Sequence, residues 1–364
     1  MTRWLRGGEI YIRSKEDELL KTRGGIEIWG GLALFFGLTF VAGAAYPAAQ
    51  DFFNGKTVRI VVGVTAGGGF DAYARAIARH IGRHIPGNPT FIVENMPGAG
   101  SLIAANHVYR VAKPDGLTMG HFLGGLFLQQ LFGSPGIEFD ARRFGYVGAP
   151  LTDNPVCVLA KATGIDTAEK WLASNSTVKM AGNAPGTIAD DIPKILRASI
   201  GLPARVVSGY KGASEMRLAV ESGEADGICQ GWDSLKSTWR SRVESKDVTV
   251  VLQVLPKPHP DLPNVSLAIS YARTDEARQL IEAGIHAVSA SYRPFVLPPG
   301  TPKDRVQILR KAFMETMNDK DFLEEARKSK LDFNPLNGEE LERTVTDLLA
   351  LKPSMVEKLK DILK

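Results

Sequence analysis

The chain has 364 residues, 44% of them hydrophobic and 23% charged, the balance of a folded globular protein long enough for two domains. A formal net charge of +4, from 44 Lys+Arg against 40 Asp+Glu, offers no argument for a nucleic-acid binder, which would show a basic stripe or tail. Two cysteines exclude a disulfide-stapled scaffold and any zinc site of four thiolates.

Residues 1–23 are polar and mixed in charge, and from Ile28 to Ala45 the run IWGGLALFFGLTFVAGAA carries no charge. Its length fits both a long signal-peptide core and a transmembrane helix. Ala42-Gly43-Ala44 matches an A-x-A cleavage pattern, with Pro47-Ala48-Ala49 as a weaker alternative. Arg13, Lys15, Lys21 and Arg23 stand before the run and orient the rest of the chain out of the cytoplasm. Residues 1–49 are therefore expected to be an export signal or an uncleaved N-terminal anchor. No Cys follows the run, which argues against a lipoprotein. Export takes Cys157 and Cys229 into an oxidising compartment, where pairing is open to them. Both lie in short apolar, strand-like runs, and two buried free thiols are the expectation.

From Lys56 the pattern alternates. KTVRIVVGV (56–64) is a β-branched run, and 71–85 is an amphipathic helix with Ala72, Ala76, Ile77, Ile81 and Ile85 near one face. A short strand at 91–94, a helix over 101–111 and a strand over 117–122 follow. The rhythm resumes with VCVLA (156–160), a helix near 168–173, VKMAG (178–182), a helix to Ile200, ARVVS (204–208), a helix over 214–223 and DGICQ (226–230). Two α/β units in tandem, each a doubly wound parallel sheet, are the expectation. After Pro298-Pro299-Gly300-Thr301-Pro302 the rest reads as helices, at 304–319, 321–329 and 338–364.

The sharpest local feature is Thr65-Ala66-Gly67-Gly68-Gly69-Phe70-Asp71 between a strand and a helix. Glycines let backbone N–H groups turn toward one point, and the helix start adds free donors and a positive dipole end. The product is either an anion cradle or a plain turn capped by Asp71. A dinucleotide loop lacks its third glycine, since that position is Ala72, and no Gly-Lys-Ser/Thr follows for a P-loop. Asn183-Ala184-Pro185-Gly186-Thr187 is a second strand-to-helix loop with the same two readings. A cleft holding both could clamp a ligand from two sides. Trp232-Asp233-Ser234 follows a strand, where α/β sheets present ligand-facing residues; a cap with Trp232 in the core is the alternative. His80 and His84 lack the Glu of H-E-x-x-H, the other histidines have no ligand spacing, and no G-x-S-x-G elbow occurs. No metal, cofactor or catalytic residue is expected.

These pieces stand in a recognisable order: Ala66 to Asp71, Glu94 to Gly100, Pro114 to Thr118, Pro185 to Thr187, Tyr210 to Gly212, Gly223 to Asp226, Leu262 to Val265 and Pro298 to Pro302. From about Lys56 onward the chain resembles the TctC or Bug-type periplasmic receptors of tripartite tricarboxylate transporters, as a divergent member. The resemblance implies a type II periplasmic binding fold with two α/β lobes around a cleft. The lobes would be 50–155 plus 285–364, and 156–284. It implies a non-enzymatic, monomeric solute receptor that binds a small organic anion and delivers it to inner-membrane transporter subunits. A receptor that feeds a membrane sensor kinase is the alternative. Carried over, the ligand loops are Ala66, Gly67, Gly68, Gly69, Phe70 and Asp71 in one lobe and Pro185, Gly186 and Thr187 in the other. Phe70 and Trp232, with Asp233 beside them, would line the wall. Two departures stand out. No Pro precedes the first glycine loop, and Asp190 replaces a histidine, bringing negative charge toward an anion site unless it faces away.

Overall fold

The structure is a computed structural model that describes residues 52–364. The expected export segment lies outside the described residues. The first lobe begins with β1 (Thr57–Val62), β2 (Thr90–Asn95), β3 (Thr118–His121) and β4 (Gly145–Ala149). Between them run α1 (Gly69–His80), α2 (Leu102–Arg110) and α3 (Leu126–Leu131). A crossover, 150–154, leads to the second lobe. That lobe holds β5 (Pro155–Ala160), β6 (Val178–Ala181), β7 (Ala204–Val207), β8 (Gly227–Gly231) and β9 (Val248–Gln253). Its helices are α4 (Ala168–Leu172), α5 (Ile188–Ile200), α6 (Ala213–Glu221), α7 (Trp232–Thr238) and α8 (Arg240–Glu244). A long return carries α9 (Asp275–Ile281) and α10 (Ala287–Ala290) before β10 (Phe295–Leu297) re-enters the first sheet. Then come α11 (Lys303–Met317), α12 (Lys320–Lys328), β11 (Leu336–Asn337), α13 (Gly338–Leu349) and α14 (Pro353–Leu363).

The strand orders are β11-β4-β10-β3-β1-β2 and β7-β6-β8-β5-β9. The parallel expectation holds for β1 with β2 and β3, and for β6 with β7 and β8. Apart from the two-residue edge strand β11, antiparallel to β4, it fails at β10 and β5, which run antiparallel to both their neighbours. The reason is connectivity. Each of these strands carries the chain into a lobe from the other one, so it runs against strands that are fed by helices of their own lobe.

The sheets are covered on both faces, and β-branched and aromatic residues fill the space. Ile60, Val62, Phe122, Phe295 and Phe313 are buried in the first lobe, and Val156, Val158, Ile228 and Trp239 in the second. α9 and α14 both pack on α5. Gly284 sits where three helices meet, because a Cβ there would lie 2.7 Å from Leu359 and 2.8 Å from Ile195. The last expected helix, 338–364, is two helices. Pro353 cannot donate its N–H, and it holds Lys352 in extended backbone (ψ 138°), so α13 ends and Pro353 starts α14.

The cysteines differ from expectation. Cys157 on β5 lies directly opposite Cys229 on the antiparallel β8, with Cα atoms 4.0 Å apart, and the two form a disulfide. A one-residue slip in either strand would have turned one sulfur to the other face, and the antiparallel pairing that sets them opposite is not the parallel one expected. The bridge closes 72 residues of separation, for which loop-closure entropy gives about 4 kcal/mol. We predict that the unfolded, unreduced protein takes up no maleimide. Reduction should lower unfolding stability by roughly 2–4 kcal/mol in urea titrations. Labelling without reductant would overturn the pairing.

Candidate functional site

The two glycine loops leave the C-terminal ends of β1 and β6, and their helices, α1 and α5, start at a shared cavity of about 380 Å³ between the lobes. Gly68 caps α1 in extended backbone without a side-chain bond. The N–H groups of Gly69 and Phe70 therefore find no acceptor among the described residues. Asp71 braces this loop from behind. It accepts from Gly67 N–H, Arg75 Nε and Asn95 Nδ2, each at 3.0 Å. Burial works to raise its pKa, but the bonds from Arg75, Gly67 and Asn95 outweigh it and hold the carboxylate below its usual range.

The second loop repeats the device. Thr187 caps α5 by accepting Asp190 N–H at 3.3 Å, and Asp191 accepts Gly186 N–H at 3.1 Å through both oxygens. Ile188 N–H is taken by the Tyr292 hydroxyl at 2.9 Å. Asp190 faces away from the cavity, toward the hydroxyls of Ser208 and Thr187. Two more helices begin here: Gly212 and Ala213 at the start of α6, and Ser234 in the first turn of α7, line the same space.

The lobes meet closely at glycines around this cavity. A Cβ on Gly125 would come within 2.8 Å of the Gly186 carbonyl carbon, and one on Gly212 within 2.7 Å of Thr65 Oγ1. Gly69 abuts Ser234 in the same way. Thr65 and Gly212 are half-buried and lie toward the mouth, and Gly69 and Ser234 are buried at the floor.

Of the residues expected from sequence, Gly68, Gly69, Phe70 and Thr187 line the cavity. Ala66, Gly67 and Pro185 are exposed on the loops, while Asp71 and Gly186 brace them. Trp232 is turned away. Its Nε1 bonds Asp261 at 3.0 Å, and its ring faces a separate groove with Lys236, Arg327 and Asp332. Asp233 is fully buried beneath the floor, accepting from Asn154 Nδ2 at 3.1 Å. Burial, with the nearby charge of Asp153, pushes its pKa up.

Sequence reasoning missed Arg293 and Asp153, the charged residues of the floor. Arg293 is 1% exposed; its Nε and Nη2 reach Asp153 Oδ1 at 2.8 and 2.7 Å, and Nη2 donates to Ser234 Oγ at 2.9 Å. Phe70 lies over the guanidinium at 4.5 Å, with His121 stacked on it at 4.8 Å and Tyr292 edge-on at 5.9 Å. Burial holds the pKa of His121 down to about 3, so the column is Phe295, neutral His121, Phe70 and charged Arg293. A lone Arg inside the apolar stretch SASYRPFVLPP was the available signal.

Two α/β lobes, two crossovers and helix starts facing one cleft define the class of periplasmic solute-binding proteins. A sequence model of the tripartite tricarboxylate transporter family receptor, TctC, matches residues 74–360, and the chain belongs to that family. It is a periplasmic receptor family, not one of enzymes. A UPF0065 protein from the gbd 5′ region of Cupriavidus necator is 26% identical over 87% of this chain and 92% of that one. A UPF0065 protein of Bordetella bronchiseptica is 23% identical over 75% and 77%. Among solved structures, the periplasmic binding protein BugD superposes with TM-score 0.67 at 22% identity, covering 85% of this chain and 98% of its own. MatC from Rhodopseudomonas palustris with bound malate gives 0.65 at 17%, covering 86% and 100%. An R. palustris protein with adipate gives 0.68 at 19%, covering 84% and 98%. No helix among the described residues is long and apolar enough to cross a membrane.

Two outcomes follow from the loops. Burial, then the charge of Asp190, pushes the pKa of Asp191 up to about 7 from an ordinary 3.8, against the Gly186 N–H and Lys194. Between those values the folded state holds a proton that the unfolded state has lost, so this group erodes stability as pH rises through that window. Asp191→Asn keeps an acceptor for Gly186 and removes the charge. It should gain at least about 1 kcal/mol over wild type at pH 8 and little at pH 4, read from melting curves. Gly125→Val should prop the seam at Gly186 open, enlarging the radius of gyration in small-angle scattering while circular dichroism stays native.

Proposed function

We propose that the protein captures a small organic anion, a carboxylate, by closing its lobes on it and hands it to a tripartite tricarboxylate-type inner-membrane transporter. It acts as a monomer in the periplasm, delivered there by the apolar run of residues 28–45. The observation that carries this reading is the convergence of helix starts from both lobes on one cavity, with the Gly69 and Phe70 N–H groups unpaired there. A carboxylate satisfies donors from both lobes only when they are together, so binding favours the closed state. Micromolar affinity needs about 8 kcal/mol in total. Hydrogen bonds to a charged group supply roughly 1.5–3 kcal/mol each, and burial of the ligand body against Val64, Leu123 and Met216 supplies the rest. The likeness in fold to proteins solved with malate and adipate supports the ligand class.

The test is a thermal-shift screen of the full chain in mild detergent against organic acids. A ligand at about 100 times its Kd should add ~2.7 kcal/mol, a shift of several degrees. Gly69→Leu, which fills the floor against Ser234, should abolish the shift. No response to any organic acid would defeat the reading.

A further inference from the structure

The start of α6 is built like the start of α1. In α1 the capping glycine, Gly68, makes no side-chain bond, Asp71 grips the Gly67 N–H from behind, and the Gly69 and Phe70 N–H groups stay bare at the floor. In α6 the cap is again a glycine, Gly212, in extended backbone and without a side-chain bond. Glu215, one turn into the helix, accepts the N–H of Lys211 at 2.9 Å, and the N–H groups of Gly212 and Ala213 find no acceptor among the described residues. At α5, by contrast, the Tyr292 hydroxyl has taken the Ile188 N–H. The second lobe thus has bare donors toward the mouth, where Gly212 meets Thr65. Charge points the same way. Three charged side chains line the cavity, Asp153, Arg293 and Lys211. The first two neutralise each other. Lys211 is exposed and in no ion pair among the described residues, and the helix start beside it favours negative charge.

Resting on the carboxylate reading above, we propose that Lys211 determines specificity. With the Gly212 and Ala213 N–H groups it holds a second anionic group of the ligand at the mouth, while the first lies on the floor against Gly69 and Phe70. The ligand then carries a carboxylate at each end, one held by each lobe. A carboxylate only accepts hydrogen bonds, and the ammonium and the N–H groups only donate them, so the match at the mouth is complete. Val64, Leu123 and Met216 give the same cavity apolar wall for the chain that joins the two groups. A monocarboxylate leaves Lys211 and the α6 donors to water and forgoes what they add.

The experiment is calorimetry on the full chain in mild detergent, with straight-chain dicarboxylates of about four to eight carbons and the matching monocarboxylates as probes. At the length that fits, the dicarboxylate should bind at least about tenfold more tightly than its monocarboxylate. Lys211→Met, at an exposed position, should cut that ratio by about fivefold through lost dicarboxylate affinity, with monocarboxylate affinity unchanged within about twofold. Lys211→Arg keeps the charge and should keep the wild-type ratio within about twofold. A wild-type ratio of one or below would overturn the proposal and leave the carboxylate reading standing. So would an equal loss for both classes in Lys211→Met, the mark of general attraction rather than of a seat for the second group, or no loss for either. Failure of both series, with no thermal shift from any organic acid, would sink both readings.

Discussion

The structure turns on the buried pair of Arg293 and Asp153. Asp153 belongs to the first crossover between the lobes and Arg293 to the second, so one ion pair ties together the two segments of chain that pass between the lobes. A backbone bond from Asp153 N–H to the Ser289 carbonyl reinforces it. Breaking one side of such a pair strands a charge in the interior, a loss of about 3–5 kcal/mol. The pair also organises what lies above it. The guanidinium holds Ser234 at the start of α7 and seats Phe70 at the start of α1, one helix from each lobe.

This is why the two glycine loops share a design. The start of α1 leaves the Gly69 and Phe70 N–H groups bare, whereas Ile188 N–H at the start of α5 is taken by the Tyr292 hydroxyl, and each loop is held in shape from within. In both loops a carboxylate one turn into the helix grips a glycine N–H from behind, Asp71 on Gly67 and Asp191 on Gly186. In the first loop the braced N–H, that of Gly67, is thus separate from the bare ones of Gly69 and Phe70. Asp190, which the sequence placed close to an anion site, instead spends its charge on Ser208 and Thr187.

Much of this was legible in the residues. The β-branched runs at 57–62 and 178–181, the amphipathic α1, and both strand-glycine-helix loops stand where periodicity and turn chemistry put them. What escaped is what depends on partners distant in sequence. Strand direction at β5 and β10 is set by which lobe the chain arrives from, and nothing local to VCVLA or FVL records that. Arg293 and Asp153 are 140 residues apart and have no spacing to notice. Trp232 was expected at the wall because it follows a strand, but its indole N–H needs an acceptor, and Asp261 supplies one on the far side.

The disulfide gives the second lobe a stability that depends on its surroundings. Between Cys157 and Cys229 lie β6, β7 and α4 to α6, most of that lobe. Under reducing conditions the same residues lack their staple and fold less firmly. Under oxidising conditions the bond holds, and Cys229 is among the residues that line the cavity. One chemical event thus both locks the fold of the second lobe and fixes a residue of the cavity wall.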